Sequence, residues 1–144
     1  MKEIQETHQK KGVVSSDEYY TPLHIIEALG HFDLDPATPS DPRWQTADVM
    51  YTKNDDGLSK EWFGRVFLNP PYSRPLVNQF MEKMAAHGNG IALVIPKLGT
   101  KMFREVVYHS CSAIYILNER IKFYDENWEQ QKSPICQSML VAFG

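Results

Sequence analysis

The chain lacks the features that mark membrane, secreted and metal-binding proteins. Its 144 residues contain no uninterrupted apolar run of membrane-spanning length, and they begin with the polar stretch MKEIQETHQKKG, unlike a secretory signal. The two cysteines, Cys111 and Cys136, form no paired ligand motif, and the five histidines are scattered. We therefore expect reduced thiols, a cytoplasmic location, no membrane partner and no metal site.

Positive charge is also in short supply. The chain has 15 lysines and arginines and 18 acidic residues, so its net charge is −3. This charge argues against a protein that holds nucleic acid by bulk electrostatics. The cations are spread along the chain, so a local basic face stays open. The composition does supply a core, because 42% of the residues are hydrophobic, which suits a single globular domain of this length.

Apolar runs and turn residues alternate along the chain as in an α/β protein. Residues 1–16 are polar and aperiodic and predict a flexible N-terminal arm, whereas residues 17–144 contain no linker and predict a single domain. Helices are predicted over Pro22–Gly30, with Thr21 as the capping residue, over Ser73–Ala86 and over Thr100–His109. Strands are predicted at HFDLD, ADVMY, RVFLN, IALVIP, AIYIL and SMLVAF. The alternation favours a mainly parallel, twisted sheet flanked by helices.

Two of the predicted strands end in residues that can take part in chemistry. The first ends at Asp35 and Pro36, and the third runs into Asn69–Pro70–Pro71–Tyr72. Ligands of open α/β sheets bind beyond the carboxyl ends of the strands. We therefore expect both segments to lie at the same edge of the sheet.

The segment Asn69–Pro70–Pro71–Tyr72 is suited to holding a planar amine. The lone pair of such an amine is delocalised, and acceptors aimed at its hydrogens stabilise the positive charge that develops when the nitrogen attacks. The Asn69 side-chain oxygen and the Pro70 carbonyl are candidate acceptors on a backbone that the prolines stiffen, and Tyr72 can stack on a flipped base. An ordinary turn between a strand and a helix is the alternative interpretation.

Taken in order, the motifs of the chain resemble a known family. DEYYTP, FDLDPA, DDGL followed by Trp62, VFLNPPYSR, ALVIP and RIKF occur as in the small phage-type DNA N6-adenine methyltransferases, which depend on S-adenosylmethionine, and the resemblance begins at Asp17. It implies a Rossmann-like methyltransferase domain that transfers a methyl group directly to the N6 amine of a flipped DNA adenine. It also implies catalytic roles for Asn69, Pro70, Pro71 and Tyr72.

The resemblance assigns binding residues as well. It implies contacts to the cofactor from Tyr20, Thr21, Pro22, Asp35, Pro36 and Asp56, and nucleic-acid binding by Arg74, Arg120 and Lys122. On local grounds, Asp35 also suits a turn or a helix cap, and Asp56 also suits a plain turn. A solvated basic pair is the local alternative for Arg120 and Lys122.

The chain departs from the family pattern in three places. No glycine-rich loop follows Asp35, since the next glycine is Gly57. After Pro96 the chain continues with Lys97, where the family tends to have a threonine–aspartate pair. The stretches between the motifs are too short for a target-recognition domain, so we expect a minimal domain with loose specificity or recognition shared across a homo-oligomer. A methyltransferase acting on an RNA base or a protein glutamine amide, and a non-catalytic binding module, remain as alternative functions.

Overall fold

The computed structural model describes residues 19–130 and 137–144, so the predicted arm of residues 1–16 and Cys136 lie outside the described residues. Its centre is a six-stranded sheet in the order β2-β1-β3-β4-β6-β5. Each predicted strand segment corresponds to one strand of the sheet, although β4 begins one residue before its predicted segment. The strands are β1 Leu34–Asp35, β2 Val49–Met50, β3 Val66–Leu68, β4 Gly90–Val94, β5 Ala113–Ile116 and β6 Met139–Phe143.

The sheet is mainly parallel, as the sequence predicts. Strand β1 pairs in parallel with β2 and with β3, and β3 pairs in parallel with β4. Strand β6 lies between β4 and β5 and is antiparallel to both, so five strands run in one direction and β6 opposes them. The chain leaves β1 for β2 on one side and then crosses to β3 on the other. The boundary between β1 and β3 is therefore a topological switch point, the place where open α/β sheets bind ligands.

The helices begin and end close to their predicted bounds, with two corrections. Helix α1 spans Leu23–Leu29 and α2 spans Leu76–His87, and each is followed by a glycine at positive φ, Gly30 and Gly88. The prediction that Thr21 caps α1 is wrong: Pro22 occupies the capping position without a side-chain hydrogen bond. Helix α2 starts after the predicted Ser73, because a residue that precedes a proline, here Arg74, is disfavoured in the helical region.

The third helical stretch covers residues 101–110, near its predicted position. It contains a π-helical segment, Phe103–Val107, that continues into a short helix α3, Tyr108–Ser110. No helix within the described ranges is both long and apolar enough to cross a membrane.

Alternate residues of the central strands build a core on each face of the sheet. Val66 and Leu68 of β3 pack with Met81 and Met84 of α2 on one face. Phe67, between them in the sequence, packs on the other face with residues that include Ile26, Phe32 and Leu93. All residues of β3 are buried, as expected for a central strand covered on both faces. This packing holds the end of β3 rigidly next to the end of β1.

Candidate active site

The carboxyl ends of β1 and β3 meet at one edge of the sheet, as the sequence predicts. The two strands are adjacent and parallel, with Leu34 paired to Val66. Asp35 ends β1, and Asn69 directly follows β3. Both residues line the same small recess of about 10 Å³, together with Tyr20 and Thr21. The two strand-end segments that the sequence singles out therefore form a single site.

Hydrogen bonds set the orientation of the Asn69 amide. Its Nδ2 donates to the Thr21 hydroxyl at 3.2 Å and lies 3.4 Å from the Tyr19 carbonyl oxygen. Its Oδ1 accepts a hydrogen bond from the Tyr72 hydroxyl at 3.0 Å. The amide oxygen therefore faces Tyr72, and the nitrogen faces the segment that precedes α1. Thr21 contributes its hydroxyl to this arrangement instead of capping the helix.

The Asp35 carboxyl group is buried and bonded within the chain. Its Oδ1 accepts from the Ala37 backbone N–H at 3.1 Å, and its Oδ2 accepts from the Thr46 hydroxyl. Burial raises the pKa of Asp35 to about 6, and the hydrogen bonds from Thr46 and Ala37 offset part of that rise. Both oxygens thus order the loop after β1, and a direct contact between Asp35 and a cofactor stays a prediction. No sequence motif marks Thr46.

A cavity of about 310 Å³ lies beside this edge. Of the predicted cofactor residues, Pro36 and Asp56 line it, and the predicted catalytic residues Asn69 and Pro71 line it as well. Most of its other walls are apolar or weakly polar. They include Tyr19, Ala37, Thr38, Pro39, Thr52, Leu58, Leu76 and Phe80, with Lys53 as the one cation among these described lining residues. Its size is that of a small-molecule site.

Gly57 lines this cavity where its backbone lies against the loop after β1. A Cβ atom at Gly57 would lie 2.0 Å from the carbonyl oxygen of Pro36, a distance that no side chain tolerates. The segment is held in place from the other side, because Trp62 Nε1 donates to the Gly57 carbonyl at 2.8 Å and Lys83 Nζ donates to the Leu58 carbonyl at 2.7 Å. A glycine is therefore required for this segment to lie so close to the backbone of Pro36.

The segment that contains Tyr20, Thr21 and Pro22 is clamped by aromatic side chains. The Tyr20 ring stacks on Trp128 with centroids 3.9 Å apart, and Trp44 Nε1 donates to the Thr21 carbonyl at 3.0 Å. Trp44 and Trp128 also meet edge to face, with centroids 4.9 Å apart. Pro22 is buried and lines neither the recess nor the larger cavity. Both tryptophans stand outside the family motifs, so the sequence did not predict their place at the site.

The three predicted nucleic-acid-binding cations lie apart. Arg74 is exposed and lines a second cavity of about 200 Å³ on the Tyr72 side of the site. Arg120 and Lys122 are exposed in the segment that follows β5, and they line neither cavity. That segment reaches the site through Phe123, whose ring lies edge to face with Tyr19 at 6.3 Å. Nucleic-acid contacts by Arg120 and Lys122 stay predictions.

One group of potential metal ligands occurs among the described residues, although the sequence predicts no metal site. His31, Asp33 and Asp48 each place a ligand atom within 4.8 Å of the others. His31 already pairs with Asp48 at 2.9 Å, and Asp33 accepts the Arg65 backbone N–H at 2.7 Å. These residues precede β1 and β2, so they lie at the opposite edge of the sheet from Asn69.

Comparisons with known proteins agree with the geometry of this edge. A family model described as DNA N-6-adenine-methyltransferase (Dam) matches residues 7–143. The DNA N-6-adenine-methyltransferase of Escherichia phage T1 is 31% identical over 121 residues, which cover 77% of this chain and 49% of the relative. The chain thus spans about half the length of that relative, and no solved structure matches it significantly. Because the family model covers almost the whole chain, including both strand ends of the site, the chain belongs to the DNA N-6-adenine-methyltransferase (Dam) family.

Proposed function

We propose that this protein transfers a methyl group from S-adenosylmethionine to the N6 amine of adenine in DNA. Membership of the Dam family and the name of the phage relative support this substrate and this reaction. The observation that carries the proposal is the Asn69 amide, held by Thr21 and Tyr72 at the end of β3 and beside a cofactor-sized cavity.

We further propose that the fold is a Rossmann-like methyltransferase domain that comprises residues 17–144, with residues 1–16 as an arm. The strand order places β1 between β2 and β3, and the chemically equipped strand ends lie at that switch point. The domain is minimal, because no stretch between the motifs is long enough for a separate target-recognition domain. The reaction requires access to DNA, so the proposal places the protein in the cytoplasm of a bacterial or phage-infected cell.

The residues around the larger cavity fit S-adenosylmethionine. Its apolar and weakly polar walls suit an adenosine group, and Asp56 at its edge suits a hydroxyl or amine donor. Tyr20 and Thr21, which line the recess, would close the methionine end, with Pro22 fixing the backbone behind them, and Asp35 would position the loop from Pro36 onward. When bound, the cofactor supplies a methyl group on a positively charged sulfur.

We assign the chemistry on the acceptor side to the Asn69 amide, which lines the cavity, and to the carbonyl group of the adjoining Pro70. The Asn69 Oδ1 and the Pro70 carbonyl accept the two N6–H hydrogens and stabilise the positive charge that builds on the nitrogen during attack. The methylated nitrogen is then acidic and loses a proton to water, so no strong base is needed. The adenine amine would replace the Tyr72 hydroxyl at Asn69 Oδ1, and the freed ring would stack on the flipped base.

A methylation assay with purified protein, cofactor and duplex DNA tests the proposal. We expect N6-methyladenine with the wild type and a loss of about 100-fold or more in rate with Asn69→Ala, since a preorganised acceptor is removed. Asn89→Ala is the matched control, because Asn89 is exposed and precedes β4, at the opposite edge of the sheet from Asn69. Equal rates for the wild type and Asn69→Ala, with both proteins folded, would falsify the assigned role of Asn69.

The same acceptor pair suits other planar nitrogens. The net charge of −3 does not favour DNA binding by bulk electrostatics. An RNA base or a glutamine amide is therefore the alternative substrate, and a non-catalytic binding role is the alternative function. Parallel incorporation of labelled methyl groups into DNA, RNA and a glutamine-containing peptide separates the three substrates. Titration of S-adenosylmethionine in a calorimeter separates the enzyme from the binding module, since a folded protein that takes up no cofactor cannot catalyse the transfer.

A further inference from the structure

A second cavity is also lined by a residue of the proposed catalytic motif. Its volume is about 200 Å³, and its walls come from the end of β4, the first turn of α2 and the turn before residue 101. Tyr72 forms one wall, whereas Asn69 and Pro71 face the cofactor side. The motif therefore contributes to two cavities with different lining residues.

The second cavity is basic in a protein that is acidic as a whole. Arg74, Lys97 and Lys101 line it, and none of the described residues along its walls is acidic. The chain carries 18 acidic and 15 basic residues, so a cavity whose described lining has three cations and no anion is contrary to its overall charge. We call this cavity the basic cleft.

Two of the cations stand on an ordered stretch of backbone. The Thr100 hydroxyl and backbone N–H both donate to the Lys97 carbonyl, at 2.8 and 3.2 Å, and the turn leads directly into the helical stretch that begins at Lys101. Glu105 lies 3.9 Å from Lys101, but both side chains are mostly exposed, so water screens that pair and leaves Lys101 available to a second anion.

A ligand for this cleft must present negative charge next to Tyr72. The inference rests on the proposed function, in which a flipped adenine stacks on Tyr72 while its sugar and phosphates extend away from the cofactor cavity. Phosphate groups are the anions that lysine and arginine neutralise on nucleic acids. We propose that Arg74, Lys97 and Lys101 bind a backbone phosphate of the DNA strand that carries the target adenine.

This interaction reads no sequence, because a phosphate is the same at every nucleotide. It holds the strand in register with the active site and supplies local affinity that the net charge of the protein does not. The proposed site includes a place where this chain departs from the family pattern. After Pro96 the family tends to have a threonine–aspartate pair, whereas this chain has Lys97 there and Lys101 directly after the same turn.

The salt dependence of DNA binding tests the proposal. A fluorescein-labelled short duplex is titrated with the full chain at about 50 to 200 mM salt, and log K is plotted against log salt. The double variant K97A/K101A should show a slope that is shallower than that of the wild type by about 0.9, the change for the one phosphate that the cleft neutralises. Lys97→Arg with Lys101→Arg should keep the wild-type slope, and Lys60→Ala, an exposed lysine outside the cleft, should keep it as well.

Three results would overturn the proposal. The first is a slope for K97A/K101A equal to that of Lys60→Ala, and the second is no binding of the duplex by the wild type. The third combines two observations. Millimolar inorganic phosphate at constant ionic strength raises the melting temperature of the wild type but not that of K97A/K101A, and the two proteins show the same salt-dependence slope for DNA binding. That result assigns the cleft to free phosphate.

The methylation assay gives an independent result. If the wild type forms no N6-methyladenine but the DNA slopes differ as expected, the proposed function fails and the phosphate site stands. If the wild type methylates DNA and the slopes coincide, the phosphate site fails and the proposed function stands.

Discussion

At the residue scale, the chemistry of the site depends on how two side chains are held. The Asn69 amide is oriented by Thr21 on one side and Tyr72 on the other, so its oxygen can face only one way. The Asp35 carboxyl group is fully enclosed and accepts hydrogen bonds from Ala37 and Thr46. The amide and the carboxyl group are thus ordered before a ligand arrives. The conformational entropy of these side chains is lost on folding and not on binding.

The first prediction concerns the pH dependence of folding at Asp35. The pKa of its carboxyl group rises from 3.8 to about 6 on folding, mainly through burial. Between these values the folded protein binds the proton more tightly than the unfolded chain, so this group lowers stability as pH rises from about 4 to 6. The full cost, about 3 kcal/mol, is present above pH 6 and is absent below pH 4.

Asp35→Asn should remove that dependence, because an amide does not titrate. Urea unfolding at several pH values between about 4 and 7 measures the free energy of unfolding for both proteins. We expect the difference between the variant and the wild type to move by about 3 kcal/mol in favour of the variant across this range. A difference that stays constant with pH would show that the folded and unfolded proteins share one pKa at Asp35.

At the element scale, a short 3₁₀ turn over Gly57–Ser59 shapes the proposed cofactor cavity. Trp62 and Lys83 bind its carbonyl groups and tie it to the adjacent structure, while Gly57 brings its backbone against Pro36. The element thus connects the loop after β1 with helix α2, from which Lys83 comes. Its contribution is geometric, because it sets the separation between two walls of the cavity.

The second prediction therefore concerns Gly57→Ala. The added methyl group would lie 2.0 Å from the Pro36 carbonyl oxygen, so the turn or the loop must move. We expect a destabilisation of about 1–3 kcal/mol and a loss of S-adenosylmethionine affinity in calorimetry. Gly99→Ala is a matched control, since an added Cβ there meets nothing within 4 Å. Unchanged melting and unchanged cofactor binding in Gly57→Ala would contradict the close packing of this turn against Pro36.

At the scale of the whole molecule, the two faces of one sheet keep the site rigid. Helix α2 and the π-helical segment Phe103–Val107 contribute Met84 and Val107 to the core on one face, and α1 contributes Ile26 to the core on the other. Both cores contain residues of β3 and β4. Because the strand ends are fixed from both faces, the site needs no further domain for its geometry.

The third prediction tests the proposed domain bounds. Removal of residues 1–16 should leave the melting temperature and the methylation rate close to those of the full chain, because the described hydrogen bonds of Asn69 and Asp35 and the described lining of both cavities come from residues 19 onward. Differential scanning calorimetry and the methylation assay provide the two measurements. A marked drop in melting temperature would show that the segment belongs to the folded domain, consistent with a family match that begins at residue 7.

Local sequence was enough to predict the elements and the chemical groups at the strand ends. Strands such as β3 and β4 and the helix ends at Gly30 and Gly88 follow from hydrophobic periodicity and glycine conformation, which are properties of neighbouring residues. The placement of Asn69 and Asp35 at one edge followed from the rule that parallel strands end together. The boundary error at Thr21 arose because its hydroxyl binds Asn69, far away in the chain.

The distant residues that complete the site became known only from the folded chain. Folding brings Thr46 to Asp35, Gly57 to Pro36, and Trp44 and Trp128 to the segment before α1. It also gathers Arg74, Lys97 and Lys101 around one cleft in an acidic chain. Each of these contacts joins segments whose separation along the sequence carries no information about their distance, because the packing of helices and loops across the sheet sets that distance.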